Sequence, residues 1–177
     1  MEKQTSLTIT SKNCLTTYTP KQIAIQYKGV VTVEQALNCG SESLAKLINL
    51  YDEKKVAALL KLQLVELNEI LNLKRPLSEK AIEMIAEEIL STYKALTMAD
   101  VYLIFKRVRN GYYGELYESI NMPKVMRWFS DYFDERCDVA ERRSQQEAGQ
   151  YRGYGGQRVC QSRSLTAIIR EQREKEQ

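Results

Sequence analysis

Histidine is missing from this 177-residue chain, and proline (3), glycine (8) and tryptophan (1) are scarce. Without an imidazole there is no ordinary proton shuttle near neutral pH and no mixed Cys/His zinc site. Four cysteines remain, Cys14, Cys39, Cys137 and Cys160, but they lie far apart with no CxxC pair, so neither metal nor cofactor is expected. The shortage of glycine and proline disfavours a turn-rich all-β fold, which needs punctuation between many short strands. There is no nucleophile-elbow pattern and no phosphate-cradling GxxxxGK loop. The expectation is a protein that is not an enzyme. No apolar run approaches the roughly eighteen residues a spanning helix requires. The richest, Val56 to Leu73, is interrupted by Lys61, Gln63, Glu66, Asn68 and Glu69. MEKQTSLTIT at the start carries no apolar stretch either. A cytoplasmic chain with reduced thiols and no membrane contact is therefore expected.

What is present points to helix. A hydrophobic fraction of 44%, a charged fraction of 28% and a net charge of +3 fit an ordinary globular protein with a core. Thr19-Pro20 reads as a cap followed by proline in the first turn, opening a short helix that ends near Gly29. Thr32 to Asn38 is helical in pattern, Cys39-Gly40-Ser41 breaks it, and Ser41 is a candidate cap for the next segment. A long helix follows over about 52–73, apolar nearly all round in VAALLKLQLVEL, and reads as the central element. Lys74-Arg75-Pro76 ends it, and Ser78 caps a helix whose Ile82, Ile85, Ala86, Ile89, Leu90 and Tyr93 share one face. Thr97 to Asp100 fits the reciprocal capping pattern with a shortened acid, ahead of a stripe of Val101, Ile104, Phe105 and Val108. Asn110-Gly111 stops that helix, and Pro123 restarts another. The fold class expected is all-α: a bundle of five to six helices over 19–143, preceded by a flexible arm (1–18). A linker (144–161) and a marginal C-terminal helix (162–177) would follow.

Three groups of residues are candidates for function. Lys106, Arg107 and Arg109 form a basic edge beside Tyr112 and Tyr113, with Arg127 across the break. Cations next to aromatics can neutralise phosphates while rings stack on bases; equally, cations at a helix C-terminus complement its dipole. In the tail, Arg142, Arg143, Arg152, Arg158 and Arg163 stand against Glu141 and Glu147, and the stretch from Tyr151 to Gly156, with Arg152 and Tyr154, has the composition of segments that bind single strands without sequence preference. A plain linker accounts for the same residues. Finally, Gly111, Gly114, Tyr117 and Trp128 are candidates for docking a protein partner. Trp128, Phe129, Tyr132 and Phe133 also fit simple core packing, and the glycines a turn needing positive φ.

The string LNEILNLKRPLSEKAIEMIAEEIL, followed by LTMADVYLIFKR, GYYGELYESI and KVMRWFSDYFDER, resembles a family of small uncharacterised proteins encoded by Bacteroidota phages and integrated mobile elements. The features that carry the resemblance are Leu96-Thr97-x-Ala99-Asp100, Phe105, Gly111-x-x-Gly114, Tyr117, Trp128, Tyr132 and Glu135-Arg136, all between Leu67 and Arg136. It implies a mobile-element setting near replication functions and brings no catalytic residues with it. The layout of a helical domain with a basic tail is also similar to that of phage helicase loaders. Two expectations follow. One is an adaptor that contacts replication machinery and holds single-stranded nucleic acid weakly. The other is a pure protein-binding or inhibitory module. The first requires Lys106, Arg107, Arg109 and Arg127 to converge on one exposed face. The second gains if they scatter or pair with acids.

Overall fold

The computed structural model describes residues 14–114 and 119–159, with backbone alone at 14, 16 and 150–159. Among these the chain is all-α, and its only β pairings are isolated bridges, Ser43 with Thr97 and Arg75 with Ser119. In order the helices are α1 (Cys14–Thr17), α2 (Pro20–Gln26), α3 (Val33–Asn38), α4 (Leu44–Tyr51), α5 (Glu53–Leu71), α6 (Glu79–Thr92), α7 (Met98–Arg109) and α8 (Met122–Val159). The chain divides into two compact units, residues 1–136 and 137–177. No described helix is long and apolar enough to cross a membrane.

Capping chemistry fixes most helix starts. Thr19, Ser43 and Ser78 each accept a hydrogen bond from a backbone N–H in the first turn. Thr32 with Gln35, and Thr97 with Asp100, form complete capping boxes. Each such cap stabilises its helix by about 1 kcal/mol. Ser43, and not Ser41, caps α4. Ser41 instead bonds the Tyr27 hydroxyl at 2.9 Å and accepts from the N–H of Ala99 at 3.4 Å. Asn68 closes the turn between α5 and α6 by donating to the Leu77 carbonyl and accepting from its N–H.

As expected, α5 is central to the packing, lying against α1, α2, α4 and α6, but the most completely buried helix is α7. Every residue from Met98 to Phe105 is buried, Asp100 included. On α5, burial is confined to Val56, Leu59, Leu60, Gln63, Leu64 and Leu67, and Leu62, Val65 and Ile70 stay exposed. Composition does not show the deeper burial of α7, whose shorter apolar stretch is enclosed on all sides. The expected stripe on α6 is buried as read, apart from the half-buried Tyr93. On α8, Val125, Trp128, Phe129 and Tyr132 join the core.

In the second unit the described backbone, 137–159, is helical throughout, over most of the stretch read as a linker. Its side chains through 149 are mainly exposed. Local pairs support it: Gln145 donates to Glu141, and Arg143 bonds Glu147 at 2.9 Å. Such pairs contribute only about 0.2–0.5 kcal/mol each, while each glycine in a helix costs about 1 kcal/mol.

Gly111 ends α7 by a Schellman motif. Its φ is +75°, its N–H donates to the Val108 carbonyl, and the Tyr112 N–H donates to that of Arg107. A Cβ at Gly111 meets nothing within 4 Å, so the requirement is purely conformational. Gly111→Ala is expected to lower stability by about 1–2 kcal/mol, read as an earlier urea midpoint. Gly149, in the polar helix with equally open surroundings, gives the opposite sign. Gly149→Ala is expected to raise far-ultraviolet helicity, and no change would contradict helix at that position.

Candidate functional site

The basic edge of α7 does not act as one surface. Successive residues turn by about 100°, so positions 106, 107 and 109 point to different neighbours. Lys106 Nζ donates to the carbonyls of Lys28 (3.1 Å) and Val30 (2.9 Å), closing the turn after α2. Arg107, its side chain only 12% exposed, makes a two-pronged bond to Glu135 of α8 at 2.5 and 2.9 Å. That bond raises the guanidinium well above its ordinary pKa. Arg109 leaves on the other side, 5.8 Å from the Tyr102 ring centroid. Arg127 is far more exposed and only loosely paired with Asp131, at 3.9 Å.

Tyr112, Tyr113, Arg127 and Trp128 are brought together. With Lys124, Asp131 and Glu135 they line an open cleft of about 780 Å³. The Schellman turn aims the two tyrosines at α8. Tyr113 stacks on Trp128 with centroids 6.2 Å apart and planes 28° from parallel, and Tyr112 stands edge-on to Tyr113 at 5.2 Å. The Arg107 guanidinium sits 4.6 Å from the Tyr112 centroid and 5.4 Å from that of Tyr132. One ion pair therefore braces the aromatic floor. Trp128 is 3% exposed overall, yet it contributes to the lining; Tyr112 is 63% exposed. The Tyr113 hydroxyl is buried beside Arg107 without a hydrogen bond of good geometry. Burial, the larger influence, holds its pKa above the ordinary phenol value despite the pull of that cation.

The remaining expected residues fall elsewhere. Gly111 and Gly114 (φ +91°) form the turn, the N–H of Gly114 bonding the Gly111 carbonyl, and serve backbone geometry. Tyr117 lies outside the described residues, as do the segment at 162–177 and residues 1–13 of the arm expected at 1–18, whose described part carries α1. Arg152, Tyr154 and Arg158 lie on α8, but their side chains are outside the description. No cluster of three or more metal-ligating side chains occurs among the described residues. Cys39 and Cys137 are exposed free thiols.

Sequence reasoning missed the junction that ties the start of α7 to α8. Asp100, read only as a cap, is fully buried. Its Oδ1 accepts from the Tyr132 hydroxyl at 2.6 Å, and Oδ2 from Arg136 Nε at 3.2 Å. Oδ2 also takes the Thr97 N–H at 2.8 Å and the Thr97 hydroxyl at 3.0 Å. The spacing of Tyr132 and Arg136, one helical turn apart, was the only available signal. No family model, curated protein or solved structure matches the chain.

Three tyrosines with raised pKa predict an alkaline limit. Burial, the largest influence on each, raises the pKa of Tyr27, Tyr113 and Tyr132; at Tyr132 the Asp100 carboxylate adds to it. A group raised on folding contributes stability that is intact below its unfolded pKa, about 10 for tyrosine. That stability is lost as pH rises through the folded value. Urea-unfolding free energy is therefore expected to fall above about pH 10, by up to ~1.4 kcal/mol per pH unit for each tyrosine still neutral in the fold. Tyr132→Phe is expected to remove about one proton from that slope while costing about 1–3 kcal/mol at pH 7, because it strips a donor from a buried carboxylate. Equal slopes in the two proteins would contradict the role given to Tyr132.

Proposed function

We propose that this chain is a non-enzymatic docking module that holds a protein partner in the cleft between the turn after α7 and the first turns of α8. The observation that carries the reading is the pairing of charges around an aromatic floor. Lys124 and Arg127 share the lining with Asp131 and Glu135, so a phosphate backbone laid there would meet carboxylates. Lys106 and Arg107 are already engaged within the fold. Aromatic anchors ringed by mixed charge are the usual anatomy of a protein interface. A catalytic reading has little to work with. The carboxylates of the cleft face guanidinium groups, and the pKa of the Tyr113 hydroxyl is driven further from neutral pH. The mobile-element, replication-associated setting implied by the resemblance of residues 67–136 belongs to the same proposal, as does a cytoplasmic location.

A second reading rests on the other unit. Its polar helix carries Arg142, Arg143, Arg152 and Arg158, a charge pattern that would give weak, non-specific contact with single-stranded nucleic acid. This is the adaptor's secondary capacity.

Trp128, the only tryptophan, reports on the cleft directly. Peptides enriched from a displayed library by the full chain are expected to shift its emission, with affinity reduced at least tenfold by Tyr112→Ala combined with Arg127→Ala. A fluorescent single strand, titrated at two salt concentrations, is expected to leave Trp128 emission unchanged and to lose affinity steeply with salt. If no peptide is enriched while the oligonucleotide shifts Trp128, the cleft belongs to nucleic acid and the docking reading fails.

A further inference from the structure

The middle of the α5 face turned away from the core is apolar where a surface helix is ordinarily polar. At about 100° per residue, Lys54, Lys55, Ala58, Leu62, Val65 and Glu69 lie opposite the buried positions of that helix. Leu62 is 41% and Val65 39% exposed, and Ala58 is half-buried beside them. Lys54, Lys55 and Glu69 are exposed, and their side chains make no ion pair or hydrogen bond among the described residues.

The order of residues along this stripe selects its occupant. It is basic at the N-terminal end (Lys54, Lys55), apolar in the middle and acidic at the C-terminal end (Glu69). Lys55, Leu62 and Glu69 are spaced by sevens, so Leu62 is the midpoint between the charges. Such a pattern is complementary to itself when turned through half a revolution. An antiparallel copy sets Leu62 against Leu62 at the centre, and lysine against glutamate about 10 Å away on either side. Between them Ala58 of each copy comes within about 1.5 Å of the level of Val65 of the other, small against large, which lets the two helices approach closely. A parallel copy would stack like charges instead.

We propose that this face of α5 is a self-association surface on which two copies of the chain pair antiparallel about Leu62. The inference is independent of the cleft and of what binds there. Two partly exposed aliphatic side chains and one alanine per copy fall short of the ~800 Å² per partner of a standard interface. The dimer is accordingly weak and concentration-dependent, and the flanking ion pairs set its orientation more than its strength.

Sedimentation equilibrium of the full chain at low salt tests this. Over a hundredfold concentration range the mass is expected to rise from 20.5 kDa toward twice that value. Leu62→Lys, at an exposed position, is expected to keep the circular dichroism spectrum and remain monomeric. Lys54→Glu with Lys55→Glu, and separately Glu69→Lys, are each expected to weaken association roughly five- to tenfold. An equimolar mixture of those two variants should recover it, because both ends again carry opposite charges. A wild-type monomer at every concentration overturns the proposal and leaves the stripe to a helix of another protein. A dimer indifferent to Leu62→Lys, or a mixture that fails to recover, overturns it as well.

Discussion

A carboxylate without access to water sits at the start of α7, and the arrangement of the first unit follows from how it is satisfied. Leaving a buried charge unpaired typically costs about 3–5 kcal/mol. Asp100 avoids that through the N–H and hydroxyl of Thr97, the phenol of Tyr132 and the guanidinium of Arg136. The first two partners belong to the helix start, the last two to α8. The same carboxylate therefore begins one helix and fixes the rotation of another. Neighbouring bonds extend the junction. The N–H groups of Leu44 and Ala45 at the start of α4 donate to the carbonyls of Leu96 and Lys94, and Ser41 links Ala99 to the Tyr27 hydroxyl.

That rotation decides what the cleft contains. Residues three and four apart share a helix face. Once Tyr132 and Arg136 are held on Asp100, Phe129 and Val125 must enter the core, and Trp128 comes to its edge. Glu135 is then presented to Arg107, which carries the orientation of α8 back to the C-terminal end of α7. The two helices are thus tied at both ends of α7, by one buried ion pair and by one partly exposed pair. Position alone would assign Arg107 to the helix dipole or to a ligand. Its two-pronged geometry makes it a brace, which a lysine would not reproduce.

Local chemistry is legible in the sequence and non-local chemistry is not. The caps at Thr19, Ser78 and Thr97, the stop at Asn110-Gly111 and the apolar face of α6 depend on residues within one turn of each other. Each can be read from spacing. The partnership of Arg107 with Glu135 spans 28 residues, and that of Asp100 with Arg136 spans 36. Nothing in periodicity announces either. Composition singles out α5, which does pack against α1, α2, α4 and α6. For a related reason it does not show that α7 is the more deeply buried. The aliphatic content of α5 exceeds that of α7, but the burial of α7 comes from neighbours supplied by α2, α3 and α8. The helix of the second unit is hidden by its glycines, which argue against helix one residue at a time, whereas the pairs at 141–145 and 143–147 argue for it across a turn.

The cleft combines a braced floor with a loose rim, and the two parts have different consequences for binding. Tyr113 on Trp128, and Tyr112 under Arg107, are positioned before any ligand arrives, so little side-chain entropy remains to be lost there. Arg127 and Asp131 are 81% and 54% exposed, at a separation too long for a strong pair. They can exchange each other for a partner's charges at little cost. Affinity would then come from the aromatic floor, and discrimination from the rim, where like charges opposed across an interface are penalised. A ligand carrying only negative charge satisfies Lys124 and Arg127 but not Asp131. A polypeptide with both signs would satisfy all three, and that difference is the physical basis on which a protein partner is proposed for this site.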